Sequence, residues 1–187
     1  MAFLPIYSCF HPIMKQTAEP IIEINADIVK LAQDMLETMH TADGVGLAGN
    51  QVGSNLSIVT IDTSVLKEAK VKYKNLVLIN PTISYFSDET SDYKEGCLSV
   101  PTIHELVKRP KAITLKYYDL SGNEHIVDDE DSLARVAQHE LDHLSGILFI
   151  DLLTPMRRTL IKSKLKKIQK SALLPEYKFV NQYDEVL

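Results

Sequence analysis

Gln138-His139-Glu140-Leu141-Asp142-His143-Leu144 holds the pattern His-Glu-x-x-His within a stretch of helical periodicity. On an α-helix, residues four apart lie one above the other. His139 and His143 can therefore hold one metal ion between their imidazoles. Glu140 lies beside them, placed to handle the proton of a metal-bound water. Random order yields this pattern in about one comparable chain in a hundred, so it needs support from a helix, a third ligand and a polarising partner. The acidic run 128–131 suits a helix N-terminus, and Gly146 suits the C′ position after Ser145. At about 100° per residue, Ser132, Val136, His139 and His143 form one narrow stripe. Leu133, Ala137, Glu140 and Leu144 continue that side, while Ala134, Arg135, Gln138, Asp142 and Ser145 are expected to face away. Three ionisable groups on an apolar side are costly unless paired or metal-bound. That favours a site over a coincidence.

Cys97 is the candidate third ligand. Two imidazoles and one thiolate leave a fourth position open, the arrangement of a catalytic rather than a structural metal. The alternative for Cys97 is a buried structural thiol. Its setting, Glu95-Gly96-Cys97-Leu98-Ser99-Val100-Pro101, predicts a thiol presented by a bent segment and not by a strand. The chain has two cysteines, Cys9 and Cys97, too few for a disulfide framework, which points to the cytoplasm.

The 187 residues fit one domain, 1–187, ending in a basic helix and tail over about 154–187. A net charge of −5 excludes a general polyanion binder. No apolar run approaches the roughly 18 residues of a membrane span. Residues 1–10 are apolar but lack a basic start and are interrupted by Pro5, so they read as a first strand or arm and not a signal peptide. Residues 3–22 read as extended, with turns at His11-Pro12 and Glu19-Pro20. Asn25 caps a helix over 26–40, with Ile28, Leu31, Ala32, Met35, Leu36 and Met39 at helical spacing. His40 falls at its C-terminal end and carries no catalytic role.

Four glycines within 44–53 mark backbone that turns or approaches something closely, with Asn50 and Gln51 as the side-chain amides there. Strands are predicted over 56–62, 76–86 with a bulge or edge at Pro81, 103–108, and 112–120 paired with 123–128. Residues 63–74 read as a polar loop. A last helix over 154–170 has Met156, Leu160, Ile161, Leu165 and Ile168 as its apolar stripe. It concentrates Arg157, Arg158, Lys162, Lys164, Lys166, Lys167 and Lys170, a solvated basic face or a surface for an anionic partner. The tail after Pro175 is expected to be extended or partly disordered.

Three ordered motifs resemble those of the peptide deformylases: Gly44-Val45-Gly46-Leu47-Ala48 with Gln51, Glu95-Gly96-Cys97-Leu98-Ser99, and Gln138-His139-Glu140 with Asp142-His143. The likeness spans most of 3–152, including Arg109-Pro110. It implies an α+β fold, with antiparallel and mixed sheets wrapped around the helix bearing His-Glu-x-x-His, plus an N-terminal and a C-terminal helix. It implies removal of the N-formyl group from the initiator methionine of new chains, releasing formate. It also implies Cys97, His139 and His143 as ligands of one divalent ion, usually Fe²⁺, with Zn²⁺, Ni²⁺ or Co²⁺ as substitutes. Such a metal acidifies its bound water, and Glu140 acts as general base and then acid. The resemblance points to Gln51 and the backbone N–H of Leu98 as oxyanion donors.

Val45, Leu98, Val136 and Leu133 are candidates for the pocket of the methionine side chain. Val45 and Gly46 can pair with the peptide as an added strand. Gly96 and His104 complete the expected substrate-binding set, and Glu95 with Arg109 forms an expected ion pair behind Cys97. His104 stands where many members carry a more basic residue at the substrate entrance. Gly49-Asn50 replaces a common Ala-Pro, which predicts a looser loop at Gln51, and Met14-Lys15 replaces a frequent Leu-Arg. Some members dock a C-terminal helix on the ribosome, and 156–170 is the matching segment here. No sequence-specific nucleic-acid or membrane partner is expected. Two other readings stand beside this one. A zinc peptidase would more often have a third His or Glu downstream, and beyond His143 there is no His, with Glu176 and Glu185 confined to the tail. A non-catalytic metal-binding domain would have no need of Glu140 or Gln51.

Overall fold

A central helix, α2 (Ser132–Leu144), carries both histidines, and β-layers close around it. The computed structural model describes residues 3–66, 74–130 and 132–187. One layer is an antiparallel sheet of five strands: β2 (Gly46–Ala48), β3 (Ile58–Asp62), β4 (Asn75–Phe86), β7 (Ala112–Tyr118) and β8 (Glu124–Glu130), neighbours in that order. Alternation in β7 sends Ile113, Leu115 and Tyr117 inward. They meet Leu133, Ala134, Ala137 and Leu144 of α2, along with Val59, Ile61, Leu76 and Leu78. The two alanines let the helix lie close to the sheet. In β4 the pairing register shifts between Ile79 and Thr82, around Pro81, which has no N–H to give the ladder.

Helix α1 (Ala26–Thr41) starts where the Asn25 side chain accepts from the Asp27 and Ile28 N–H groups. Its buried residues Ile28, Ala32, Met35 and Met39 pack on Leu47, Ile58 and Ile79. The other side of α2 is covered by a hairpin, β5 (Thr90–Cys97) and β6 (Val100–Pro110). Beneath the hairpin, Val100, Ile103 and Val107 join Phe149, Ile161, Ile168 and Phe179 in a further core. Ile161 and Ile168 come from α3 (Pro155–Gln169). Phe179 belongs to β9 (Phe179–Val180), which pairs in parallel with β1 (Ile6–Tyr7). The architecture is α+β, as the sequence implies.

Several expectations need correction. Residues 3–22 are not wholly extended, because Pro12–Lys15 forms a 3-10 turn capped by His11. Cys97 is not on a free bend; it ends β5, where the register with β6 shifts between Gly96 and Cys97. The expected strand 103–108 is the middle of β6. The acidic run falls mostly in β8, although Asp129 Oδ1 still accepts from the Ala134 N–H at 3.3 Å. Asp131 and residues 67–73 of the expected loop lie outside the described residues. Ala134, Arg135 and Gln138 do not face away: all are buried, Ala134 against the sheet core, and Arg135 and Gln138 under the hairpin, where they donate to the Val107 and Pro110 carbonyls. On α3, Met156 and Leu160 are 73% and 71% exposed, so only Ile161, Leu165 and Ile168 of the expected stripe pack inward. Of the two alternatives for the tail, the extended one agrees with β9, where Phe179 exchanges backbone hydrogen bonds with Leu187 and lies buried.

Candidate metal centre and active site

Cys97, His139 and His143 each offer one ligand atom, and these atoms lie within 4.8 Å of one another. The two histidines come from successive turns of α2. The thiol comes from the end of β5, where the register shift turns the strand toward the helix. Cys97 Sγ lies 3.2 Å from His143 Nε2. His139 Nδ1 is engaged by Glu95 Oε2 at 2.9 Å, which leaves Nε2 for an ion. Two imidazoles and a thiolate suit Zn²⁺ or Fe²⁺ and not Mg²⁺ or Ca²⁺, which prefer oxygen. The donor set thus fits a single divalent ion of that kind.

The electrostatics agree with the fit. Burial holds His143 well below its ordinary pKa, with the His139 charge adding to the effect, so its imidazole is neutral and able to ligate. Burial also opposes a proton on His139, but its contacts with Cys97 and Glu95 prevail and push it up to about 10. The negative surroundings that attract that proton attract a cation equally. Burial pushes the Glu140 carboxyl up to about 7, against the pull of His139. Glu140 Oε2 is buried and has no hydrogen-bond partner among the described residues. Gly46 explains how Glu140 fits: a Cβ there would meet Glu140 Oε1 at 2.5 Å.

Glu95 organises the rear of the site. Its carboxylate receives Arg109 Nε at 2.7 Å and Nη2 at 3.0 Å, and Arg135 Nη1 at 3.1 Å. Arg109 Nη1 also reaches Asp142 Oδ2 at 2.6 Å. Burial raises the Glu95 pKa, but His139 and Arg109 outweigh it and hold the carboxyl at about 2. The Glu95–Arg109 pair was expected from sequence; Arg135 and Asp142 as its partners were not. Arg135 is also held by Ser91 and lies under the Tyr93 ring. A signal for it existed: an arginine one turn before His139 on a helix with apolar neighbours.

The loop at Gln51 is not loose. Asn50 is fully buried and donates to the His143 carbonyl, which ties this loop to α2. Gln51 Oε1 accepts from the Ala48 N–H at 2.8 Å, and Nε2 lies 3.3 Å from Ser99 Oγ and 3.5 Å from Cys97 Sγ. Asn50 thus supplies an anchor that a proline could not.

The site opens into a cleft of about 1530 Å³. Val45, Gly46, Gln51, Gly96, Cys97, Leu98, His104, Val136, His139 and Glu140 all face it. Leu133 does not: it is 1% exposed and packs into the sheet core, so its place in a substrate pocket is withdrawn. Ser132, Arg135 and Tyr93 stand on the cleft wall near Val136 instead. The exposed His104 lies across from Gly96 in the hairpin, and a Cβ on Gly96 would meet its ring at 2.5 Å. Strand β2 is an edge of its sheet. Val45 C=O is taken by the Asp62 N–H at 2.9 Å, so ladder alternation turns the Gly46 backbone groups outward. Tyr177, Leu174 and Glu176 from the tail also line the cleft, which nothing in their sequence signals.

The family model for polypeptide deformylase matches residues 3–159. A peptide deformylase of Rhizobium meliloti is 42% identical over 171 residues, covering 91% of this chain and 97% of its own. One from Cellvibrio japonicus is 42% identical over 173 residues, covering 92% and 99%. Among solved structures, the peptide deformylase of Ehrlichia chaffeensis in complex with actinonin superposes with a TM-score of 0.82 at 35% identity, over 91% of this chain and 99% of that one. That of Legionella pneumophila gives 0.82 at 33% identity, over 93% and 100%. Motifs, fold and relatives therefore agree, and the chain belongs to the peptide deformylase family.

Proposed function

We propose that the protein removes the N-formyl group from the N-terminal methionine of newly made chains, releasing formate, with one divalent ion held by Cys97, His139 and His143. The observation that carries this reading is the cluster of those three donors, of which Cys97 and His139 line one cleft together with Glu140. A divalent ion bound there supplies Lewis acidity toward a water and toward the formyl carbonyl. Glu140 takes the proton of the attacking water and returns it to the departing amine. Gln51 Nε2 and the Leu98 backbone N–H donate to the formyl oxygen as it gains charge. Glu95 fixes the His139 ring through Nδ1, and Arg109 and Arg135 fix Glu95. Val45, Leu98 and Val136 shape the apolar pocket for the methionine side chain. The outer edge of β2 at Gly46 accepts the peptide backbone as an added strand. Gly96 and His104 line the far side of that path.

The test is formate release from formyl-Met-Ala-Ser by protein purified without oxygen. Absence of formate from metal-loaded protein overturns the reading. Fe²⁺ is the proposed native ion, checked by metal analysis of the same preparation. The reading places the protein in the cytoplasm, where new chains emerge. Among the described residues, no helix is long and apolar enough to cross a membrane. The proposed ribosome contact rests on the exposed lysines of α3, Lys162, Lys164, Lys166 and Lys167. Failure to co-sediment with ribosomes at low salt removes that part alone.

A further inference from the structure

The turn after Cys97 is held from three sides. Gln51 Nε2 lies 3.3 Å from Ser99 Oγ, the Cys9 N–H donates to Ser99 C=O at 2.9 Å, and Tyr177 Oη donates to Leu98 C=O at 2.6 Å. The first comes from the glycine loop and the second from the N-terminal arm. The third comes from the C-terminal tail, beyond the residues that the family model matches. That tail is fixed independently of the turn. The Ile6 N–H donates to Lys178 C=O at 2.9 Å and the Ser8 N–H to Val180 C=O at 2.8 Å. Phe179 fills the core beneath the hairpin, with Tyr177 and Cys97 packed against the same cluster. Tyr177 is thus a short rigid link between a zipped pair of strands and the turn. Burial, with the Cys97 charge adding to it, keeps its phenol protonated and therefore a donor.

We infer that Tyr177 is a positioning residue, whose hydroxyl pins Leu98 so that the Leu98 N–H points at the reacting carbonyl oxygen. This rests on the deformylase reading above. A free turn of two residues between β5 and β6 would sample several orientations of that amide. An oxyanion donor acts through its fixed direction, because only a donor already aimed at the growing charge stabilises the transition state more than the ground state. Two of the three anchors act on Ser99, while Tyr177 holds the Leu98–Ser99 peptide plane, which meets the plane carrying the Leu98 N–H at the Leu98 Cα.

The test is Tyr177→Phe, which keeps the ring and its packing and removes one hydroxyl. Deleting an oxyanion donor lowers kcat by about 10²–10³. Here the donor remains and only its aim is relaxed, so kcat on formyl-Met-Ala-Ser is expected to fall about tenfold, with KM within about twofold. One lost hydrogen bond shifts the melting temperature by only about 2–4 °C, and metal content stays at the wild-type value. Amide hydrogen exchange over 97–100 should accelerate in the variant, while exchange in α1 and β3 stays unchanged. Wild-type kcat, or unchanged exchange over 97–100, overturns the inference. So does a collapse of stability or loss of metal, which would make Tyr177 a structural residue only. If the wild-type protein releases no formate, the deformylase reading fails, and the exchange measurement still decides whether Tyr177 pins the turn.

Discussion

Replacing Glu95 with glutamine removes one charge and almost no volume. Glu95 is 5% exposed, and the groups it faces, Arg109 and Arg135, are 5% and 6% exposed. Breaking a buried ion pair by removing one partner costs about 3–5 kcal/mol, because the other charge stays buried. Arg109 keeps Asp142, and Arg135 keeps Val107 C=O and Ser91, so the lower end applies. Titration gives a second route to the magnitude. The Glu95 carboxyl falls from 4.5 to about 2, which corresponds to about 3 kcal/mol favouring the ionised folded state. The routes agree on about 3 kcal/mol, or about 6–12 °C in a chain of this size.

The sign with pH follows. A carboxyl whose folded pKa lies below its unfolded one contributes fully above the unfolded value, about 4.5, and loses that contribution as pH falls toward about 2. Urea unfolding of metal-saturated wild type and Glu95→Gln should therefore differ by about 3 kcal/mol at pH 7, with the gap narrowing below pH 4.5. Chelator competition should show metal affinity reduced about 10- to 100-fold, since His139 exchanges a carboxylate acceptor for a neutral amide. A difference under about 1 kcal/mol at pH 7, or a gap that does not change between pH 5 and pH 3, would refute the assignment of Glu95 as the charged hub.

Glu140→Gln should bind metal at wild-type stoichiometry and lose about 10²–10⁴ in kcat; near-normal turnover would remove Glu140 from proton transfer. Gly46→Ala places a methyl group against Glu140 Oε1, and a displacement of about 1 Å in that carboxylate should lower kcat about a hundredfold, with metal content unchanged by atomic absorption. Stripping the ion should abolish formate release and lower the melting temperature, since an ion present at about 100 times its Kd adds about 2.7 kcal/mol. Restoring Fe²⁺ or Zn²⁺ should recover both, and a melting temperature indifferent to chelation would argue against a bound ion at Cys97, His139 and His143.

The parts of this molecule that could be read from sequence are those whose cause is local. Helix α1 announces itself through Asn25 and the spacing of Ile28, Ala32, Met35 and Met39, and β7 through its alternation. Helix α2 is legible for the same reason, and with it the relation of His139 to His143. Cys97 needed only its residue type and its neighbours. The misread parts have causes elsewhere in the chain. Strand β5 carries Asp92, Lys94 and Glu95, with four of its eight residues exposed and one buried, so neither alternation nor hydrophobicity marks it; it is a strand because β6 pairs with it. The order of the tail comes from β1, at the opposite end of the sequence. Leu133 shares a helical side with His139, but the sheet and the cleft divide that side between them, and Leu133 falls to the sheet.

Arg135 shows most clearly why periodicity fails where polar groups are satisfied inside. A projection sorts residues by hydrophobicity, so an arginine goes to the solvent side by default. The relevant constraint is instead the capacity of Glu95. A carboxylate accepts about four hydrogen bonds, two at each oxygen. Oε1 receives Arg109 Nε and Arg135 Nη1, and Oε2 receives Arg109 Nη2 and His139 Nδ1. With Arg109 alone, one acceptor position would stay open in a buried site, and the carboxylate could turn away from His139. Arg135 fills that position, so the direction of the bond to His139 is fixed by the other three. The ring that presents Nε2 to the metal site thus takes its orientation from an arginine four residues earlier on the same helix, through a glutamate on a different strand.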